Sequence, residues 1–209
     1  MDILNQNELK TLFETSLYFL ALLNPASKVL FLSARKPALT DKELSRIAWR
    51  ATFFAFSILL VFCICGNFLM AHVFRVELYA LKLAGGLVLL LTGLNAVQKG
   101  IFFHQDDGKM ISDDELSVVP LASPLIAGPG TIAATVSYSL EYGVGRTLLS
   151  LAIALLINTA CMLAAKVIAK VLDAMLMIGP LIRLTGLIIM AVAMQMMLTG
   201  AAEWIQAIR

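Results

Sequence analysis

The residues richest in possible chemistry are helix breakers. Residues 120–131 read Pro-Leu-Ala-Ser-Pro-Leu-Ile-Ala-Gly-Pro-Gly-Thr, and residues 23–27 read Leu-Asn-Pro-Ala-Ser. Proline lacks an N–H donor and clashes with the turn before it, so Pro120, Pro124 and Pro129 do not fit one undistorted helix. Gly128 and Gly130 free the backbone on either side of Pro129. At a buried break, the half-helix that begins offers N–H groups and partial positive charge to a carboxylate, and the half-helix that ends offers carbonyls to an ammonium group or a cation. Asn24, Ser27, Ser123 and Thr131 add side-chain oxygens, and Lys28 adds a formal charge one turn past Pro25. Lys28 could meet a solute carboxylate or backbone carbonyls, or reach toward the near interface. The predicted substrate-binding set is therefore Asn24, Pro25, Ser27, Lys28, Ser123, Gly128, Pro129, Gly130 and Thr131, with Asn158 deep in a later apolar run. It suits a small zwitterion.

Catalytic signatures are absent from the sequence. His72 and His104 stand alone, and neither a zinc-protease helix, a nucleophile elbow nor a phosphate-binding loop is present. The reading is of a protein that is not an enzyme and needs no cofactor or metal. Residues 103–114 fail the spacing of a calcium loop, because Phe103 occupies its first ligand position. Cys63 and Cys65 point about 200° apart on a helix, so with Cys161 they read as small buried apolar groups. No basic stripe with aromatics suggests nucleic acid.

The elements that carry these residues are membrane spans. Of 209 residues, 60% are hydrophobic and 14% charged, against roughly 25% charged in soluble domains. Six apolar segments, at 12–34, 47–71, 78–98, 118–140, 147–171 and 177–202, are each about long enough for a ~30 Å hydrocarbon core. The expected class is an all-α integral membrane protein with breaks in spans 1 and 4. Its expected organisation is a first three-helix repeat over 1–102, an acidic cytoplasmic linker over 103–117 and a second repeat over 118–209. The halves align through Pro25 with Pro129, Ser27 with Thr131, Lys82 with Arg183 and Gly85 with Gly186. Three crossings per half make the repeat inverted, a plan common among secondary transporters. Lys and Arg concentrate beside 35–50, 99–109 and 166–183, which predicts that side as cytoplasmic and both termini outside. Lys82 and Arg183 read as anchors near span ends.

The stretches Leu20–Ser33, Val119–Ala133 and Arg183–Gly200 together resemble the MarC/SnatA family of bacterial and archaeal inner-membrane proteins, with Pro124 to Ile132 the most characteristic part. The resemblance implies six spans in two halves and transport of small neutral amino acids across the bacterial inner (plasma) membrane. In the family pattern, Asn-Pro-x-Gly is followed by a polar residue, an apolar one and a second proline. This chain has Ser27 where that pattern has Gly, Lys28 at the polar position and Leu30 in place of the second Pro. The expected partners are the bilayer, a small-molecule substrate and a coupling proton or sodium ion. Two other functions fit the sequence: export of small apolar solutes, and a non-transporting scaffold or sensor acting through the 104–115 loop.

Overall fold

A computed structural model describes residues 6–33, 39–100 and 126–208. Ser123, Pro120, Pro124 and the predicted linker at 103–117 lie outside these residues. The described chain is helical: α1 (Gln6–Leu23), α2 (Pro25–Ser33), α3 (Asp41–Phe68) with a π-helical turn at Leu69–Phe74, α4 (Leu78–Lys99), α5 (Pro129–Tyr142), α6 (Val144–Leu163), α7 (Ala165–Ala174) and α8 (Ile178–Ile208). Among the described residues, five stretches are long and apolar enough to cross a bilayer: Glu8–Ser33, Asp41–Val73, Leu78–Lys99, Val144–Leu163 and Ile178–Ile208. Helix α5 falls in the fourth predicted segment. Its 14 residues reach about 21 Å at ~1.5 Å per residue, less than a full crossing.

Helix boundaries follow local chemistry. α3 starts six residues before the predicted span because Thr40 and Glu43 form a capping box, with the Thr40 N–H donating to Glu43 Oε2 at 2.6 Å and the Glu43 N–H to Thr40 Oγ1 at 3.3 Å. The fifth predicted segment divides at Ala164. Beyond it, Lys166, Lys170 and Asp173 form a polar face on α7, whereas Val167 and Val171 are exposed on another. That pattern belongs to a helix lying along an interface.

Large apolar side chains point outward, among them Phe53, Ile64, Phe68, Leu156 and Leu187. Lipid is the solvent for such a surface. Cys63 is buried as expected, but Cys65 lies on this outward surface. Small and hydroxyl-bearing residues share the interior with a core of Phe19, Leu23, Ile47, Leu59, Leu151 and Leu155.

The most extensive helix pairing is between α4 and α8, and glycine makes it possible. A Cβ on Gly93 would sit 2.7 Å from Gly186 O, one on Gly186 3.0 Å from Gly93 O, and one on Gly86 2.9 Å from Ala193 O. Such approaches require glycine, as in other membrane helix pairs.

Cross-chain ion pairs order the helix ends. Arg146 at the start of α6 pairs with Glu8 near the start of α1, and Lys82 near the start of α4 pairs with Glu203 near the end of α8. Lys166 of α7 meets Asp41 at the start of α3 at 2.7 Å. α6 therefore runs parallel to α1 and antiparallel to α3, and Thr52 and Thr159 share a buried hydrogen bond of 2.6 Å between α3 and α6. Lys82 is not the span-end anchor expected from sequence, being 7% exposed and paired with Glu203.

Gly93→Ala is expected to lower the melting temperature of the detergent-purified protein, with a loss of roughly 1–3 kcal/mol for overpacking. Gly145→Ala, whose new methyl meets open space, should leave it unchanged or slightly raised.

Candidate functional site

The first break is built by Asn24. Its backbone lies in the left-handed region at φ 47°, which Asn tolerates better than most residues. The Asn24 N–H still donates to Leu20 O at 3.0 Å, so α1 completes its last turn before the chain leaves the helix. Pro25 then starts α2 at the first helical position, where its fixed φ is suitable and its missing N–H costs nothing.

Two carbonyls at this break have partners within the same turn. Asn24 O accepts from the Ser27 N–H at 3.1 Å and from Ser27 Oγ at 2.8 Å. Leu23 O accepts from Lys28 Nζ. Helical side chains slant toward the N-terminus, so Lys28 reaches back to the end of α1, where the helix dipole favours a cation. Asn24, Ser27 and Lys28 are 7%, 3% and 2% exposed. Lys28 thus takes the backbone-carbonyl option and does not reach the interface. No carboxylate among the described residues pairs with it.

At the second predicted break, Gly128 caps the start of α5 without a side-chain hydrogen bond. Pro129 has no N–H, and the N–H groups of Gly130 and Thr131 precede the first intrahelical bond, which runs from Ile132 N to Gly128 O at 2.9 Å. Gly130 and Thr131 are buried and Pro129 is exposed. Gly130 faces Leu89 of α4, whose side-chain atoms would lie 2.3–2.9 Å from an added Cβ.

Asn158 of α6 is fully buried. Its Nδ2 contacts Met162 Sδ at 3.4 Å, and its Oδ1 has no hydrogen-bond partner among the described residues. An orphaned amide oxygen at this depth costs about 1–3 kcal/mol unless something else meets it. α6 packs on both α1 and α2, so the orphan belongs to the helix beside the first break.

Of the predicted residues, hydrogen bonds join Asn24 to Ser27, and Lys28 reaches the neighbouring Leu23 O in the same turn. Among the described residues, none joins that turn to Gly128–Thr131. The two broken regions meet further along, where α1 and α5 stack Tyr18 on Tyr138 at 5.1 Å and set Phe19 against Tyr138 at 5.6 Å.

A buried hydroxyl stripe was missed in the sequence. Thr131, Thr135 and Ser139 stand four residues apart on α5, all buried. Thr135 Oγ1 donates to Thr131 O at 2.7 Å and Ser139 Oγ to Val136 O at 2.8 Å. The Thr135 and Ser139 protons are spent on their own helix, while their oxygen lone pairs remain as acceptors. The four-residue spacing was the available signal. The stripe runs toward Tyr142, which lines a cavity of about 30 Å³ together with Thr15, Thr147, Ser150 and the Glu8–Arg146 pair.

Comparison with known proteins adds family context. Residues 9–205 match the MarC family integral membrane proteins. A UPF0056 membrane protein of Pyrococcus horikoshii is 33% identical over 193 residues, covering 92% of this chain and 94% of the relative. One from Methanocaldococcus jannaschii is 32% identical, covering 86% and 90% respectively. One from Buchnera aphidicola is 26% identical, covering 91% and 94%. No solved structure matches significantly.

Asn24→Gly should preserve the thermal stability of the purified protein. Asn24→Leu, forced into the left-handed region, should cost about 1–2 kcal/mol.

Proposed function

The chain belongs to the MarC family of integral membrane proteins, and from that premise we propose that it carries small neutral amino acids or similar small zwitterions across the membrane by alternating access between two three-helix halves. One observation carries the reading: among the described residues, the first N–H groups of α5 have no side-chain cap and the buried Asn158 Oδ1 has no hydrogen-bond partner. The Gly130 and Thr131 N–H groups suit a carboxylate, and Asn158 Oδ1 suits an ammonium group. A zwitterion presents one group of each kind. An apolar solute would leave both sets unsatisfied, which disfavours export of apolar compounds.

The seam between α4 and α8 supports two related halves. Lys82, Gly86, Gly93 and Ala96 are buried on α4, and one hundred residues on, Ile182, Gly186, Ala193 and Met196 are buried on α8. The contact of Gly93 with Gly186 then maps onto that of Ala193 with Gly86, and both close approaches are present. Reciprocal contacts of this kind are the mark of a two-fold relation. Alignment by like residues pairs Gly85 with Gly186 and Lys82 with Arg183, one position off the spacing that burial follows.

Access in this reading changes at the two faces. The Glu8–Arg146 and Asp41–Lys166 pairs each join a helix of the first half to one of the second, at opposite ends of α6. The hydroxyl stripe and the cavity beside Glu8 give a polar route on one side. Both termini lie outside in this arrangement, and the Lys- and Arg-rich ends face the cytoplasm of the cell whose inner membrane holds the protein.

Proteoliposomes carrying the protein should accumulate labelled glycine or alanine. Gly128→Leu places a side chain before the free N–H groups at an ordinary φ of −75°, so it tests space and not backbone freedom. Uptake should fall about tenfold, equivalent to roughly 1.4 kcal/mol of binding, with the melting temperature retained. Gly130→Leu is the poorer variant because it displaces Leu89. Absence of uptake for every neutral amino acid would remove the reading.

A further inference from the structure

One face of α3 changes character along its length. Lys42, Arg46, Trp49, Arg50 and Phe53 fall within about 100° of one another around the helix axis, opposite the buried Leu44, Ala48, Ala51, Ala55 and Leu59. Trp49 is 52% and Phe53 68% exposed, and Arg46 and Arg50 are exposed beside them. An open cavity of about 560 Å³ lies at this level, lined by Ser45, Arg46, Trp49 and Arg50. Lys42, Arg46 and Arg50 share the face with one carboxylate, Glu43, whose Oε2 accepts from the Thr40 N–H at 2.6 Å and from Thr40 Oγ1 at 2.7 Å. The face is positive on balance. From residue 51 to residue 73 the span has no Asp, Glu, Lys or Arg, and Val61 and Ile64 continue the same face outward.

Depth along the span follows from length. The uncharged stretch 51–73 is about 34 Å long at ~1.5 Å per residue, enough for a ~30 Å hydrocarbon core. Arg46 and Arg50 therefore stand among the headgroups, with Trp49 at the interface that tryptophan favours. We propose that this cavity binds a net-anionic phospholipid, its phosphate held by Arg46 and Arg50, its glycerol against Trp49 and an acyl chain along Phe53 and Val61. Guanidinium N–H groups form a fork that matches phosphate oxygens. Each guanidinium has five donors, so the interaction Arg50 makes within the chain leaves others for a phosphate. Val61 lies about 16 Å past Arg50, close to half the depth of the core. Cationic, aromatic and apolar side chains thus follow one another along α3 in the order in which a phospholipid presents phosphate, glycerol and chain. A choline headgroup would bring its own cation beside two guanidinium groups, which selects against zwitterionic lipid. A free phosphate would use only the first part of the face.

Full-length wild type is melted in detergent alone and with dioleoyl phosphatidylglycerol, dioleoyl phosphatidylcholine or inorganic phosphate at equal ionic strength. Phosphatidylglycerol should raise the melting temperature by several degrees and the other two should not, as expected of a ligand that binds only the folded form. Native mass spectrometry should show phosphatidylglycerol retained on the wild-type chain in preference to phosphatidylcholine. Arg46→Gln, which leaves the Arg50 side chain in place, should lose most of the rise and of the retained lipid, and Arg46→Gln with Arg50→Gln should lose both. Lys170→Gln removes an exposed charge from α7 that does not line the cavity and should keep both. The proposal is overturned if phosphatidylcholine stabilises as well as phosphatidylglycerol, or if the Arg46 variants keep the rise. A rise reproduced by inorganic phosphate would mean an ion site without lipid, and an equal loss in Lys170→Gln would mean general surface charge; either overturns it. So does a dimer of wild type in lipid-free detergent that the Arg46 variants dissociate, which would give this face to a second copy. No solute is required, so the outcome is independent of the transport reading.

Discussion

The governing constraint is that backbone polar groups inside a bilayer need partners, since lipid offers none. A continuous helix satisfies this automatically; α1–α2 and the region before α5 do not. At the first break Ser27 returns to Asn24 O and Lys28 to Leu23 O, the last two carbonyls before Pro25. The second keeps its first N–H groups without a side-chain cap. Among the described residues the two sites are thus chemically unlike: side chains meet the end of α1, and none caps the start of α5.

The rest of the architecture serves to bury this polarity. Small residues let α4 and α8 approach at backbone distance, and large apolar side chains such as Phe53, Ile64 and Leu187 are turned outward in addition to those in the core. Hydroxyls tolerate the interior because most donate within their own helix, as Thr135 and Thr147 do, whereas of Thr52 and Thr159 one donates to the other. Their bonds cost no neighbour a partner. Asn158 is the exception, with an acceptor that nothing described satisfies.

Local chemistry was legible in the sequence. Asn24-Pro25 and Gly128-Pro129-Gly130 end and begin helices at the positions their backbone preferences dictate, and the apolar runs locate the long helices. What escaped reading depended on partners distant in sequence or on direction. The burial of Lys82 requires Glu203, and the pairing of Thr52 with Thr159 joins separate helices. The destination of the Lys28 ammonium depends on side-chain slant, which composition alone does not convey. The α6–α7 division at Ala164 has no Pro or Gly to announce it. The Thr40–Glu43 capping box, by contrast, was present in the letters and shows that a hydropathy window alone places a helix start too late.

Helix α7 has a consequence beyond topology. It presents Lys166 and Lys170 on one side and Val167 and Val171 on another, and it packs against α2, the helix that carries Ser27 and Lys28. An amphipathic segment of this sort rides at the depth where headgroups give way to acyl chains. The turn at Asn24 is thereby joined, through α2, to a segment whose two faces differ in polarity.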